Sequence, residues 1–268
     1  MSVFSRKAIS KRCTHTLTTW QCSEVRVSFD RVAEIYDRTR GFPSHAMRQL
    51  TQALTVELSG YKAILDAGVG TGRYARSLQE SGFEVAGIDI ARAMIGKAEE
   101  RGVSDLVLGD ACFLPFKNNS FDATVCIHLL HLIREWKAAL QEICRVTRSA
   151  LVSLIYVYKN PMWDAYDRLL KAYGYEGRRF GKGEWELKNL VSPSRSVFAA
   201  AYDAVADERL EYLSRRAYSY QWEIPEDINE KVVEKLKRQF AGTVFHQELL
   251  LLTWDIEDLQ AFCEPADA

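Results

Sequence analysis

The run Ile64-Leu65-Asp66-Ala67-Gly68-Val69-Gly70-Thr71-Gly72-Arg73-Tyr74 constrains this chain more than any other stretch. Its short apolar start, Ala63 to Leu65, suits a strand buried on both faces of a parallel sheet. The three glycines permit positive φ and let backbone N–H groups come close to a ligand that a side chain would hold away. The run predicts a strand, a tight loop and a helix over Tyr74 to Ser81. Its spacing is G-x-G-x-G, whereas the dinucleotide fingerprint is G-x-G-x-x-G with a pyrophosphate on the helix N-terminus. Asp66, just before the loop, would repel a pyrophosphate and attract an ammonium group. The loop is therefore unsuited to NAD.

The segments that follow repeat the pattern. Gly82 to Asp89 reads as a second strand ending in an acid 17 residues beyond Gly72, a place from which a carboxylate can accept hydrogen bonds from both hydroxyls of a ribose. Leu106-Val107-Leu108-Gly109-Asp110-Ala111 reads as a third, followed by Leu114-Pro115-Phe116 and the turn Asn118 to Asp122. In this order the motifs resemble those of the class I S-adenosylmethionine (SAM) dependent methyltransferases, in the group that contains the ubiquinone and menaquinone C-methyltransferases. The resemblance covers about residues 27 to 157. It implies an α/β fold with a doubly wound, mostly parallel sheet, SAM as cofactor and S-adenosylhomocysteine as product. By the same resemblance Asp66, Ala67, Gly68 and Gly70 surround the methionyl part of SAM and Asp89 holds the ribose. Ile90 and Met94 lie against the adenine ring, and Asp110 and Ala111 lie beside its amino group. A flap helix with a Tyr-Asp pair is implied as well, with Tyr36 on the methionyl carboxylate.

The first 23 residues contain Arg6, Lys7, Lys11 and Arg12 and no acid. This composition is shared with organelle transit segments, but no helical period supports it, and residues 1–26 are read as a flexible basic tail. Apolar residues at 29, 32, 33 and 36 share one face and predict a helix, on which Arg40 is read as a solvated charge. Gly41-Phe42-Pro43 ends it, and a second helix spans Ser44 to Leu58. A fourth strand, Ala123 to Ile127, leads into His128-Leu129-Leu130-His131, at the crevice where a doubly wound sheet holds its ligand. His128 is assigned to the cofactor lining. Both histidines are candidates for a general base, since imidazole titrates near neutrality. Thr147-Arg148-Ser149 stands where relatives carry a Lys-Pro-Gly-Gly turn, ahead of a fifth strand from Ala150 to Tyr158. The six cysteines, at 13, 22, 112, 126, 144 and 263, form no C-x-x-C pair, so they are read as reduced thiols and no metal site is expected.

These elements divide the chain into a SAM-binding core with flap helices (27–159), a mainly helical lid (160–240) that forms the acceptor pocket, and a closing strand with a tail (241–268). The resemblance puts that strand, Phe245 to Asp255, antiparallel at the sheet edge. At 47% apolar residues the chain can bury a full core. Residues 160–222 are rich in aromatics but hold ten Lys or Arg against nine Asp or Glu, a balance that argues against a nucleic-acid groove. Arg178, Arg179 and Lys182 are read as a solvated loop. No run of apolar residues reaches bilayer length. The expectation is a soluble cytoplasmic enzyme acting on a small, partly apolar acceptor. Two alternatives stay open on the residues alone: a tRNA-modifying methyltransferase with the same core motifs, and a SAM-binding partner subunit without turnover.

Overall fold

The computed structural model describes residues 28–157, 160–175 and 183–263. The expected tail and the basic group Arg178, Arg179 and Lys182 lie outside the described residues. A 3-10 turn over Asp30–Ile35 runs into α1 (Tyr36–Arg40), and α2 (Ser44–Glu57) precedes β1 (Ala63–Ala67). The order then alternates: α3 (Arg73–Glu80), β2 (Glu84–Asp89), α4 (Arg92–Glu100), β3 (Leu106–Leu108), β4 (Phe121–Cys126), α5 (Trp136–Val146) and β5 (Thr147–Tyr156). After β5 come α6 (Pro161–Ala172), α7 (Gly183–Leu190), β6 (Arg195–Val205), α8 (Ala206–Ser214), α9 (Glu226–Phe240), β7 (Val244–Asp255) and α10 (Ile256–Cys263).

The strands form one sheet in the order β3-β2-β1-β4-β5-β7-β6. β1 to β5 pair in parallel, and β7 runs antiparallel to both of its neighbours. Because strand side chains alternate in direction, Ile64 and Leu65 enter different cores. Ile64 joins Leu50 and Leu54 of α2 and Leu78 of α3 on one face. Leu65 joins Leu140 and Ile143 of α5 and Leu259 of α10 on the other. Strand order reverses between β1 and β4, so the crevice at their carboxyl ends is the expected ligand position.

Three expectations are corrected here. β7 is antiparallel but lies inside the sheet, because β6 pairs along its outer side from Arg195 to Val205. The segment 160–240 is therefore not helical throughout: it sends an 11-residue strand back into the sheet. The alternation of Val197, Ala199 and Ala201 with Ser196, Phe198 and Ala200 is too weakly polar to declare that strand locally. Its helices nonetheless build a separate core from Met162, Tyr166, Leu210, Val232 and Leu236. Thr147-Arg148-Ser149 is not a turn, since α5 ends at Val146 and β5 starts at Thr147.

Gly72 caps the start of α3 at φ 76°, and a Cβ there would stand 2.6 Å from Val103 and 2.9 Å from Ala98. Gly72→Ala combines left-handed strain with overpacking, so it should lower the unfolding free energy by about 2–4 kcal/mol. Urea denaturation would show this as a lower midpoint at unchanged slope.

Candidate active site

Asp66 closes β1 and is 2% exposed. Among the described residues its Oδ2 has no hydrogen-bond partner. Burial, with Asp89 nearby, raises its carboxyl pKa to about 7, while the Ala75 N–H pulls the other way. Gly68, Gly70 and Gly72 all have positive φ, as the loop requires. The N–H groups of Gly68 and Val69 are taken by Ile88 O, each at 2.9 Å. That bond pair fixes the loop against the end of β2. There Asp89 accepts from Gly70 N–H at 2.9 Å and from Ala91 N–H at 2.8 Å. Each carboxylate oxygen keeps a further lone pair for a ligand hydroxyl.

The other motif residues sit around the same strand ends. Asp110 Oδ1 accepts from Cys112 N–H at 2.8 Å, and Ala111 is buried beside it. Ile90 is exposed. Met94 instead packs with Ala33 and Ala91 beneath the N-terminal 3-10 turn. Tyr36 of α1 lies edge-on to Phe29 at 5.8 Å, with the Arg40 and Arg73 guanidiniums 5.6 and 5.7 Å from its ring.

The flap is tied down by residues that the motif argument did not single out. Asp37 accepts from Thr71 Oγ1 at 2.6 Å and from Arg73 Nη2 at 2.8 Å, and it also pairs with Arg101. The first two partners belong to the glycine loop and to the first residue of α3, so Asp37 joins the flap to the ligand loop. Arg40 is not the solvated charge that its sequence context suggested. It donates to Thr39 Oγ1 and to Ala217 O, both at 2.9 Å, and stacks over Tyr218 at 4.4 Å. Only the folded chain brings Ala217 to this spot.

Beyond β4 the two histidines approach each other, with ring centroids 6.0 Å apart. His128 has a left-handed φ of 58° and stacks on Tyr156 at 5.9 Å. Burial first, then the charges of His131, Arg73 and Arg40, lower its pKa to about 4 in spite of Glu184. It is a neutral imidazole near pH 7 and too weak to be an effective base there. His131 is placed differently. Its Nδ1 lies 3.1 Å from Glu184 Oε2, and donation to that carboxylate leaves Nε2 as the acceptor nitrogen.

Glu184 is the main residue that the sequence did not reveal. Oε1 accepts from Leu129 N–H at 3.1 Å and from Leu130 N–H at 3.2 Å. Burial opposes its charge, but the His131 charge and hydrogen bond outweigh that and hold its pKa down to about 2. The contact depends on Gly183, where a Cβ would fall 2.2 Å from His131 N. Nothing in the local pattern of α7 marks Glu184 as buried; a Gly-Glu pair in an aromatic-rich segment was the only signal. Among the described residues no cluster of His, Cys, Asp and Glu could hold a metal ion, and no helix is long and apolar enough to cross a membrane.

Residues 65–150 match the profile of a methyltransferase domain. Over 155 residues the chain is 30% identical to a demethylmenaquinone methyltransferase from Renibacterium salmoninarum, covering 56% of this chain and 65% of that protein. Over 158 residues it is 30% identical to one from Streptomyces avermitilis, covering 57% and 68%. The chain thus spans about two thirds of the relatives it matches. A SAM-dependent methyltransferase structure from Thermotoga maritima shares the fold with a TM-score of 0.51 at 18% identity, covering 85% of this chain and 97% of that one. The glycine loop, the three acid-tipped strands and these relatives lead to one conclusion: the chain belongs to the class I SAM-dependent methyltransferases, in the group whose relatives include the demethylmenaquinone methyltransferases.

Proposed function

We propose that this protein transfers the methyl group of SAM to a small, partly apolar acceptor by in-line displacement. The observation that carries this reading is the Asp66 Oδ2 atom, buried beside the glycine loop without a partner. A buried carboxylate oxygen left unpaired costs about 1–3 kcal/mol or more, and the ammonium of a methionyl group would satisfy it. Asp89 would take the ribose hydroxyls, while Ala67, Gly68 and Gly70 flank the methionyl chain and Tyr36 its carboxylate. Ile90, Asp110 and Ala111 would meet the adenine, with Met94 supporting the flap from below. When bound, SAM supplies an electrophilic methyl on a sulfonium. The chain's own part is to align the acceptor and exclude water. His131, oriented by Glu184, is the residue placed to take a proton from an oxygen or carbon acceptor, and neutral His128 lines the crevice. Relatives named demethylmenaquinone methyltransferase support a quinone-like or phenolic acceptor.

Calorimetric titration with SAM and, separately, NADH tests the reading. Dissociation in the micromolar range, about −8 kcal/mol, is expected for SAM, with no heat from NADH. A folded protein that does not bind SAM would end it.

A further inference from the structure

We propose that Arg209 and the tyrosines around it form a carboxylate-binding subsite for the acceptor, so that the methyl-accepting substrate is a small unsaturated or aromatic acid. This rests on the methyltransferase reading above and names the class of molecule that the same crevice takes. Arg209 of α8 donates to one backbone carbonyl, Thr39 O at 3.0 Å. Among the described residues no carboxylate lies within ion-pair distance of its guanidinium. Its electrostatic neighbours are instead the hydroxyl groups of Tyr218, Tyr156 and Tyr202. A part-buried cation surrounded by neutral phenols lacks the counter-charge that such a group normally has.

Arg38 lines the same cavity but is exposed to water, and three other nearby cations are already committed. Arg73 pairs with Asp37 at 2.8 Å. Arg101 pairs with the same carboxylate. Arg40 spends its donors on Thr39 and Ala217, and its face on Tyr218. Among the described residues Arg209 is the one arginine of this cavity that is withdrawn from water without a carboxylate partner; beyond Thr39 O and the Tyr218 hydroxyl it has donors left, and its planar fork fits a carboxylate.

The position is right for an acceptor. Arg209 lines a cavity of about 380 Å³ together with Arg38, Phe42 and Tyr202. Phe42 links it to the reaction centre, its ring lying 5.7 Å from Tyr202 and 6.5 Å from His128. Tyr156 spans the same gap, stacked on His128 at 5.9 Å. The acids at the cavity rim do not oppose an anion at Arg209: Asp37 is neutralised as above, Asp203 pairs with His246 at 3.0 Å, and Glu208 is exposed to water. Aromatic walls with one part-buried charged fork, Arg38 being exposed, are the lining expected for a flat, singly charged acid.

Benzoate and benzamide, nearly isosteric and differing in charge, are the probes. Each is titrated into the full-length protein saturated with S-adenosylhomocysteine. Benzoate should bind tighter than benzamide by about tenfold or more, the range for charge-assisted hydrogen bonds. Arg209→Gln should erase that preference with S-adenosylhomocysteine affinity unchanged. Equal binding of the two probes, binding of neither, or a preference that survives the substitution would overturn the carboxylate subsite. If Arg209 serves only to anchor the flap through Thr39, Arg209→Gln weakens S-adenosylhomocysteine and leaves the probe preference intact, which also overturns it. Failure of S-adenosylhomocysteine to bind the unaltered protein is a separate result, removing the methyltransferase reading and this subsite together.

Discussion

Glu184→Ala is expected to lower the stability of the protein by about 3–5 kcal/mol, the range for removing one member of a buried ionic network. The side chain is 4% exposed and holds three donors at once: Leu129 N–H, Leu130 N–H and His131 Nδ1. Truncation leaves two backbone donors in the segment after β4 without a partner and frees the ring orientation of His131. In a chain of this size each kcal/mol is about 2–4 °C, so the melting midpoint should fall by about 6 °C or more. Glu184→Gln separates the structural from the chemical part. The amide oxygen can still accept from the two backbone N–H groups, so most of the stability should return. The charge that stabilises a protonated His131 is gone, so turnover of an acceptor that must lose a proton should drop by about 100-fold, the lower end of general-base contributions. SAM affinity measured by calorimetry should not move. A Gln variant with full turnover on such an acceptor would remove His131 and Glu184 from the chemistry. The depressed pKa of Glu184 gives a second readout. Its stabilising contribution is complete above the unfolded-state value near 4.3 and is lost as pH falls towards about 2, so unaltered protein should lose stability in that window faster than Glu184→Gln.

Binding of SAM should depend on pH through Asp66. In the free protein its pKa is raised to about 7, chiefly by burial, so near pH 6 most molecules carry a neutral carboxyl there. A cationic ammonium requires the carboxylate, and binding must therefore release a proton. Affinity should rise by up to about tenfold per pH unit between about pH 5 and 7, then level off. Calorimetry in two buffers of different ionisation enthalpy would count the released proton. Asp66→Asn should flatten the profile and weaken binding by at least about tenfold at pH 8, where the native carboxylate is ionised. The free protein carries the opposite trend. A carboxyl whose folded-state pKa is raised contributes stability that is fully present below its unfolded value near 4 and is lost as pH rises through about 7. A pH-independent SAM affinity in the unaltered protein would mean that Asp66 is not the ammonium partner.

Much of the core was legible because its signals are local. A glycine loop needs positive φ wherever it lies in the chain, and Gly68, Gly70 and Gly72 all have it. The acids at Asp66, Asp89 and Asp110 follow short apolar runs that became β1, β2 and β3 in the expected order. The first flap segment declared itself by the apolar period of residues 29, 32, 33 and 36. The errors fell where a long-range partner decides the outcome. Strand β6 exists because β7 offers it an edge over Arg195 to Val205; its own alternation is too weakly polar to declare it. Arg40 looked solvated because its acceptor, Ala217 O, is 177 residues away. His128 looked as good a base as His131 because type and spacing do not report burial, and burial is what drives its pKa to about 4.

The sequence by itself determined the sheet core, the ligand loop and the chemistry of the donor it suits, since each depends on residues within one strand–loop–helix unit. Which histidine has a carboxylate behind it, which arginine has none among the described residues, and which carboxylate is stripped of water were decided by the tertiary structure alone. Those properties are set by distances between segments and by exclusion of solvent, and neither quantity is defined until α7, α8 and the flap have closed over the crevice.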